Sequence, residues 1–522
     1  MYRQARDLGA AGETSRANAL YNRLLNLTRD KRLKALVHSD RGVLAAMAGN
    51  LLEASALFQA ALQLDPGCAQ AVENLALLNG ATAVNGPSMA KETDRTSAKG
   101  GSDGEVPARV AIVSFLFNWP STGGGIVHTA ELARFLGLGG YEVRHFYGRN
   151  PARGIGNVEG RLPFDSRAIE LADRTWNIPA IQAAYRDAVD AFDPDVVIIT
   201  DAWNMKPVLA EALGEYPYLL RQQALECLCP LNNLRLLFDG AGRVTQCPKH
   251  QLAAPGDCRA CLESRGHQSG ALHQMERSLA GVGSQSYDER LRRAFAQAEA
   301  VLVLNPLVEA MIAPYAQRVR IVTWGMDPVR FPWPWPDEPI AQPNKRVRTL
   351  LMAGVIDEVI KGFHVLQEAC QKLWNKRRDF ELLATGQPCG RFNEFTRFIG
   401  WLSQEELPRQ IRAADVLVMP TIAQEGLGRT TVEAMGVGRP VIASRIGGLP
   451  YTVCDGATGL LFEPGNADDL AAKIETLLDD AALGEQMGLA GRKKFENEFL
   501  WPDVIERQYR PLLTRRASEG PH

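Results

Sequence analysis

Two successive sets of strand-sized apolar runs, each set interleaved with helical segments, constrain this chain more than any other feature. The first set opens with a strand over Arg109–Phe115, a turn at Gly123-Gly124-Gly125 and a helix over Ile126–Leu136. Further strands are predicted over Glu142–Tyr147, Asp195–Thr200, Tyr216–Leu220 and Ala300–Leu304. The second set starts with strand Arg348–Ala353 and continues as helix Gly362–Leu373, strands Phe380–Ala384 and Val416–Met419, helix Thr430–Val437 and strand Pro440–Ala443. Strands that read as continuous apolar runs are buried on both faces, which parallel strands with crossover helices achieve. The pattern therefore predicts an α/β fold of two doubly wound, Rossmann-like domains, over 106–335 and 346–497. The Pro-rich stretch Phe331-Pro332-Trp333-Pro334-Trp335-Pro336 is the expected hinge. Ligands of such sheets bind beyond the carboxyl ends of the strands, so two facing domains put the site in the cleft.

Ahead of these sets, residues 1–80 carry helical periodicity only. Gly42, Ala45 and Ala54 let two helices approach closely, Phe58 fills the gap beside Ala61, and Pro66 stops the second helix. This spacing resembles a tetratricopeptide repeat, with a looser copy at Ala17, Tyr21 and Leu24 and a half-copy in Ala71–Leu78. A plain helical hairpin is the alternative; a repeat would offer a groove to a protein partner. Residues 81–105 are polar, without apolar period, and read as a flexible linker. The formal net charge of -2 leaves no basic excess for a phosphate backbone, so no nucleic-acid partner is expected. No apolar run reaches membrane-span length and the first residues lack a secretory pattern. The expected compartment is the cytoplasm, with peripheral attachment at the inner membrane face as the variant.

The densest chemistry lies in Glu425-Gly426-Leu427-Gly428-Arg429-Thr430-Thr431-Val432-Glu433. Glu425 sits on a loop after a strand, where a carboxylate can accept hydrogen bonds from sugar hydroxyls. Gly426 and Gly428 let the backbone approach a ligand, and the start of the next helix offers free N–H groups to phosphate. Two turns along that helix, Glu433 can accept both hydroxyls of a ribose. Alone, this pattern would also suit an ordinary helix with a glycine-rich start.

It continues, however, as Gly438-Arg439-Pro440, Gly447-Gly448-Leu449-Pro450 and Asp455-Gly456-Ala457-Thr458-Gly459. Together these runs resemble the carboxyl-terminal domain of family-four retaining glycosyltransferases of the GT-B fold, the glycogen-synthase-like group 1. The resemblance extends over about Val106–Tyr509. It implies that Glu425 holds the donor sugar and Glu433 the nucleoside ribose, with Gly426, Leu427, Gly428 and Arg429 around the donor. It implies that Lys361 neutralises the donor diphosphate, that Gly123, Gly124 and Gly125 approach the phosphates from across the cleft, and that a tail over 498–516 braces the first domain. The implied reaction is metal-independent: a sugar moves from a nucleotide-sugar to a hydroxyl acceptor on a polysaccharide, a lipid-linked sugar or a protein. No catalytic cofactor is expected.

The chain departs from the family at Val355, where an arginine is usual, and at Tyr451, where a glutamate is usual. Gln222-Gln223-Ala224 stands where many members carry a His-Asp pair, so no catalytic histidine is carried over, and His128 is read as a packing residue. These departures keep open a non-catalytic or epimerase-like scaffold built around the repeats. Within an insertion over 227–261 lie five of the nine cysteines. Cys258-Arg259-Ala260-Cys261 has zinc-knuckle spacing, and Cys229 with Cys247 would complete four thiolate ligands for a structural zinc, His250 or Cys227 being the substitutes. Scattered thiols or a disulfide pair are the other readings.

Overall fold

The computed structural model describes residues 2–75 except 11–13, 29, 48–50 and 73; 108–335 except 122 and 239–243; and 347–513 except 391 and 392. The linker expected over 81–105 lies outside them, as do Pro336 and residues 514–516. The chain divides into two compact units, Met1–Glu105 and Val106–His522.

The described residues of the first unit are helical, with helices Tyr2–Ala10, Thr14–Leu27, Lys31–Met47 and Leu51–Leu64. At Gly42 the third and fourth helices pack closely: a Cβ there would stand 2.6 Å from the Phe58 ring. Ala45, Ala54, Leu57 and Phe58 form one buried cluster at this seam. Ala17, Tyr21 and Leu24 bury with Ala5, Val37 and Leu44, and the Tyr21 hydroxyl bonds Asp40 at 3.2 Å.

The second unit holds two parallel sheets. The first contains β1 (Arg109–Ser114), β2 (Glu142–Arg149), β3 (Ser166–Glu170), β4 (Val196–Ile199) and β5 (Tyr218–Arg221). After an antiparallel hairpin, β6 (Leu236–Phe238) and β7 (Val244–Gln246), it is completed by β8 (Ala300–Val303) and β9 (Val319–Ile321). Its order is β3-β2-β1-β4-β5-β8-β9. The second sheet comprises β10 (Arg348–Met352), β11 (Phe380–Ala384), β12 (Thr396–Phe398), β13 (Val416–Met419), β14 (Val441–Ser444) and β15 (Gly459–Phe462), in the order β12-β11-β10-β13-β14-β15. Both are doubly wound, and strand order reverses between β1 and β4 and between β10 and β13. The expected fold class is thus the observed one. The strands β3, β9, β12 and β15 were not anticipated; all four are sheet edges and two are only three residues long.

Periodicity worked at the centre because all residues of β4, β5, β8 and β14 are buried, and all but Arg221 and Ser444 at two strand ends are apolar or aromatic. Each such aliphatic side chain contributes about 1.5–3 kcal/mol by leaving water. The carboxyl-terminal tail crosses back to the first sheet's domain. The Met326 amide donates to the Phe499 carbonyl at 2.6 Å and the Trp501 amide to Met326 at 3.1 Å. Trp501, Val504, Ile505 and Tyr509 then bury with Val110, Ile112, Leu132 and Ile198. A Cβ at Gly325 would overlap the Trp501 ring, so glycine there is a packing requirement.

No candidate site residue precedes Gly123 and the second unit has its own cores. A chain beginning at Val106 is therefore expected to fold. Its calorimetric transition should fall less than about 2 °C below that of the second unit in the full chain, the shift roughly 1 kcal/mol produces in a large domain. A larger drop, or aggregation, would show that the helical unit completes the second unit's surface.

Candidate functional site

Close backbone approaches build the site at the second sheet's switch point. After β10 the chain runs through Gly354, at φ +126°, into a short turn Val359–Lys361 and then Gly362, at φ +74°. A Cβ at Gly362 would collide with the Pro420 carbonyl at the end of β13. That contact seats the turn on the next strand's exit, where the Ile422 amide and the Thr421 hydroxyl both donate to the Ile360 carbonyl, at 2.9 and 3.0 Å. Lys361 is thereby carried to the loop after β13, and its Nζ donates to Glu425 Oε1 at 2.8 Å. Burial works against the ammonium, but the Glu425 carboxylate and this hydrogen bond outweigh it, holding the Lys361 pKa above the ordinary lysine value.

The Glu425 loop rests on a second glycine pair. The Gly448 amide donates to the Glu425 carbonyl at 2.8 Å, and Gly447 stands at φ +60° with Glu425 backbone atoms 2.7 Å from where its Cβ would be. A Cβ at Gly448 would collide with the Gly426 carbonyl oxygen. From across the cleft, Asn305 Nδ2 donates to that same carbonyl at 2.8 Å. Gly428, at φ +77°, starts helix Arg429–Gly436 with no side-chain cap, leaving its first N–H groups open to a ligand. Within that helix Glu433 is 1% exposed.

Facing this loop, Gly124 and Gly125 open helix Gly124–Leu138 after β1. Would-be Cβ atoms would stand 3.2 Å from Trp324 at Gly124 and 3.0 Å from Asp201 Oδ1 at Gly125. Gln223 ties this wall together: its amide nitrogen reaches His128 Nδ1 at 2.9 Å and Thr200 at 3.0 Å, and its oxygen accepts from Trp324 Nε1 at 2.9 Å. His128 is fully buried between Trp324 and Trp501, and burial holds it well below the usual histidine range, as a neutral ring. Burial also raises the Asp201 carboxyl to about 7, against the hydrogen bond from Thr129.

Lys361, Glu425, Gly428, Arg429 and Glu433 line one pocket of about 220 Å³ with Gly124 and Trp324 of the facing domain. A larger groove of about 620 Å³ lies around Arg153, Trp176 and Met275, but Arg153 there is paired with Asp173 at 2.9 Å. The smaller pocket holds the greater chemistry: a lysine, two carboxylates, an uncapped helix start and a glycine turn from each domain, suited to a phosphorylated, hydroxyl-rich ligand.

Arg429 lines this pocket with its side chain already paired. Its guanidinium is held by Glu131 at 2.9 Å and by Glu433 at 3.3 Å, so its charge is already matched. Glu131, Arg330 and Asn305 were missed, and Gln223 was read only as standing where the family carries a His-Asp pair. Glu131 shares the run Ile126–Leu136 with His128, Thr129 and Arg134, so nothing in the local pattern singled it out.

The cysteines group without converging. Cys229 and Cys247 flank the β6–β7 hairpin, and Cys258 and Cys261 share helix Pro255–Arg265. The Cys229 sulfur accepts the Leu231 amide at 3.4 Å. Burial, with Cys229, Cys247 and Cys261 as neighbours, pushes the Cys258 thiol up to about 12. Among the described residues no three His, Cys, Asp or Glu side chains form a metal-ligand set. Cys227 bonds the Trp203 carbonyl instead, and His250 lies edge-on to Tyr315.

Residues 347–480 match the family described as Glycosyl transferases group 1. The glycogen synthase of Mycobacterium tuberculosis (strain CDC 1551 / Oshkosh) is 26% identical over 227 residues, which is 41% of this chain and 53% of that protein. The chain thus spans about half the length of this curated relative. The structure of sucrose-phosphate synthase from Thermosynechococcus elongatus superimposes with TM-score 0.55 at 19% identity, over 78% of this chain and 99% of that one. Anabaena HepE, solved in complex with UDP and glucose, superimposes with TM-score 0.53 at 14% identity, over 78% and 100%. These likenesses identify the fold of the second unit as GT-B.

Replacing Gly448 by alanine should push the Glu425–Gly426 loop out of place, at a cost of about 1–3 kcal/mol for overpacking. Chemical denaturation reads that cost; a variant as stable as the parent would mean the loop yields freely.

Proposed function

We propose that the protein is a retaining glycosyltransferase that moves a sugar from a nucleotide-sugar to a hydroxyl acceptor. The observation that carries this reading is the convergence of Lys361, Glu425 and Glu433 in one pocket opposite the glycine turn. The family match over 347–480 and the UDP-bound relative of the same fold support a nucleoside diphosphate as the leaving group. In this reading Glu433 accepts the ribose hydroxyls and Glu425 the hydroxyls of the donor sugar. Lys361 swings from Glu425 to the diphosphate, joined by the open amides of the Gly428–Arg429 helix start.

The bond between the anomeric carbon and the diphosphate oxygen breaks as the acceptor oxygen bonds the anomeric carbon on the same face. The acceptor proton passes to the departing diphosphate oxygen. Fixed positive groups around a developing diphosphate are electrostatic preorganisation, commonly the largest catalytic contribution. A nucleophilic role for Glu425 is the alternative to test first. The acceptor belongs to the polysaccharide, lipid-linked sugar or protein class. The helical unit is proposed as tetratricopeptide-like and as the surface for a protein partner. Among the described residues no helix is long and apolar enough to cross a membrane.

Glu433→Ala should weaken nucleoside diphosphate binding by roughly 2–4 kcal/mol, the loss of a charged acceptor for two hydroxyls. Glu425→Ala should keep that binding and abolish transfer. Calorimetric titration with UDP and GDP, beside a turnover assay, separates the two; unchanged affinity in the first variant would remove the ribose assignment.

A structural zinc on Cys229, Cys247, Cys258 and Cys261 belongs to the same proposal, the ion drawing the grouped thiols together. Elemental analysis of protein purified in metal-free buffer is expected to give about one zinc per chain. Metal-free protein with paired cysteines would assign the cluster to a disulfide.

A further inference from the structure

Beside the pocket, two carboxylates share two guanidinium groups. Glu131 Oε1 accepts from Arg429 Nη2 at 2.9 Å and from Arg330 Nη1 at 3.4 Å. Its Oε2 accepts from Arg429 Nη1 at 3.3 Å and from Trp501 Nε1 at 3.0 Å. Glu433 receives the remainder: Arg429 Nε and Arg330 Nη2 reach it at 3.3 and 3.4 Å, both on Oε1. Arg330 is also held by the Gln404 carbonyl at 2.7 Å. Glu131 comes from the glycine-turn helix, Arg330 from the approach to the hinge, Arg429 and Glu433 from the donor-side helix, and Trp501 from the tail. Burial disfavours ionised Glu131, but Arg429 and Arg330 outweigh it and keep its pKa below the ordinary value.

The division is unequal. Glu131 takes Arg429 end-on as a fork, the strongest geometry a guanidinium offers, and leaves Glu433 only longer contacts to one oxygen. Glu433 Oε2 accepts nothing from the described residues in the contacts above, and Glu433 lines the pocket. With Glu131 neutral, two buried cations would face a single buried carboxylate, an arrangement that drives both onto Glu433.

We propose that Glu131 is a positioning residue for nucleotide binding: by holding Arg429 and Arg330 it keeps an oxygen of Glu433 free for ribose hydroxyls. This rests on reading Glu433 as the ribose acceptor. Glu131→Gln keeps the volume and one acceptor but removes the charge. It should weaken UDP binding at least tenfold and erase the preference for UDP over 2′-deoxy-UDP, while Glu131→Asp recovers most of both.

Calorimetric titration of the full chain and of the Glu131→Gln, Glu131→Asp and Glu433→Gln variants with the two nucleotides decides it, with melting temperature recorded beside each. Glu433→Gln should erase the preference on its own, and the double variant should lose no more than either single one. If Glu433→Gln erases the preference but Glu131→Gln keeps it, the proposal is overturned while the ribose reading stands. A lowered melting temperature with the preference intact, in either Glu131 variant, would likewise leave Glu131 a structural brace only. If Glu433→Gln leaves the preference unchanged, the ribose reading falls and takes this proposal with it.

Discussion

Lys361 meets Glu425 because the backbone can pass where a side chain could not. The Gly362 contact on the Pro420 carbonyl joins the exit of β10 to the exit of β13, and the site's lysine and first carboxylate come from those two exits. The Gly447–Gly448 turn does the same on the far side, propping the Glu425 loop from below. The ion pair is thus a consequence of strand order: only at the switch point do two neighbouring strands send their crossovers apart and leave a crevice between them. With both partners partly buried, the pair is stronger than a surface ion pair of the same length and also harder to replace.

The facing domain contributes contacts rather than charges to the loop itself. Asn305 holds the Gly426 carbonyl, and the Gln223 carbonyl and the Leu304 side chain lie where a Cβ on Gly426 would go. The two domains are tied at three further points: the tail bonds to Met326, Trp501 bonds to Glu131, and Arg429 and Arg330 bridge two carboxylates. A nucleotide entering the pocket would meet groups from both domains, so its binding and the angle between them are linked.

Much of this was legible because the signals are local. Central strands such as Val416–Met419 are apolar throughout, and the spacing of Glu425 and Glu433 puts one on a loop and the other about one turn into the helix that follows. Edge strands such as Val319–Ile321 were not legible, since three residues with two exposed side chains carry no period. Nor was the employment of Arg429: its partner Glu131 lies almost 300 positions earlier, and no local pattern couples them. The cysteines illustrate the converse. Their spacing announces a ligand set, yet their side chains stand near one another without forming one. Spacing reports which residues share a segment, and the rotamers depend on what fills the space between them.

The proposed reaction is sugar transfer with retained configuration. The most direct measurement is proton NMR of the reaction between the full chain, a nucleotide-sugar that it binds and a panel of hydroxyl acceptors, followed from the first turnovers. Release of nucleoside diphosphate is expected, with a product whose anomeric configuration is that of the donor. A first-formed product of opposite configuration, or a bound donor that is never transferred to any acceptor, would contradict it.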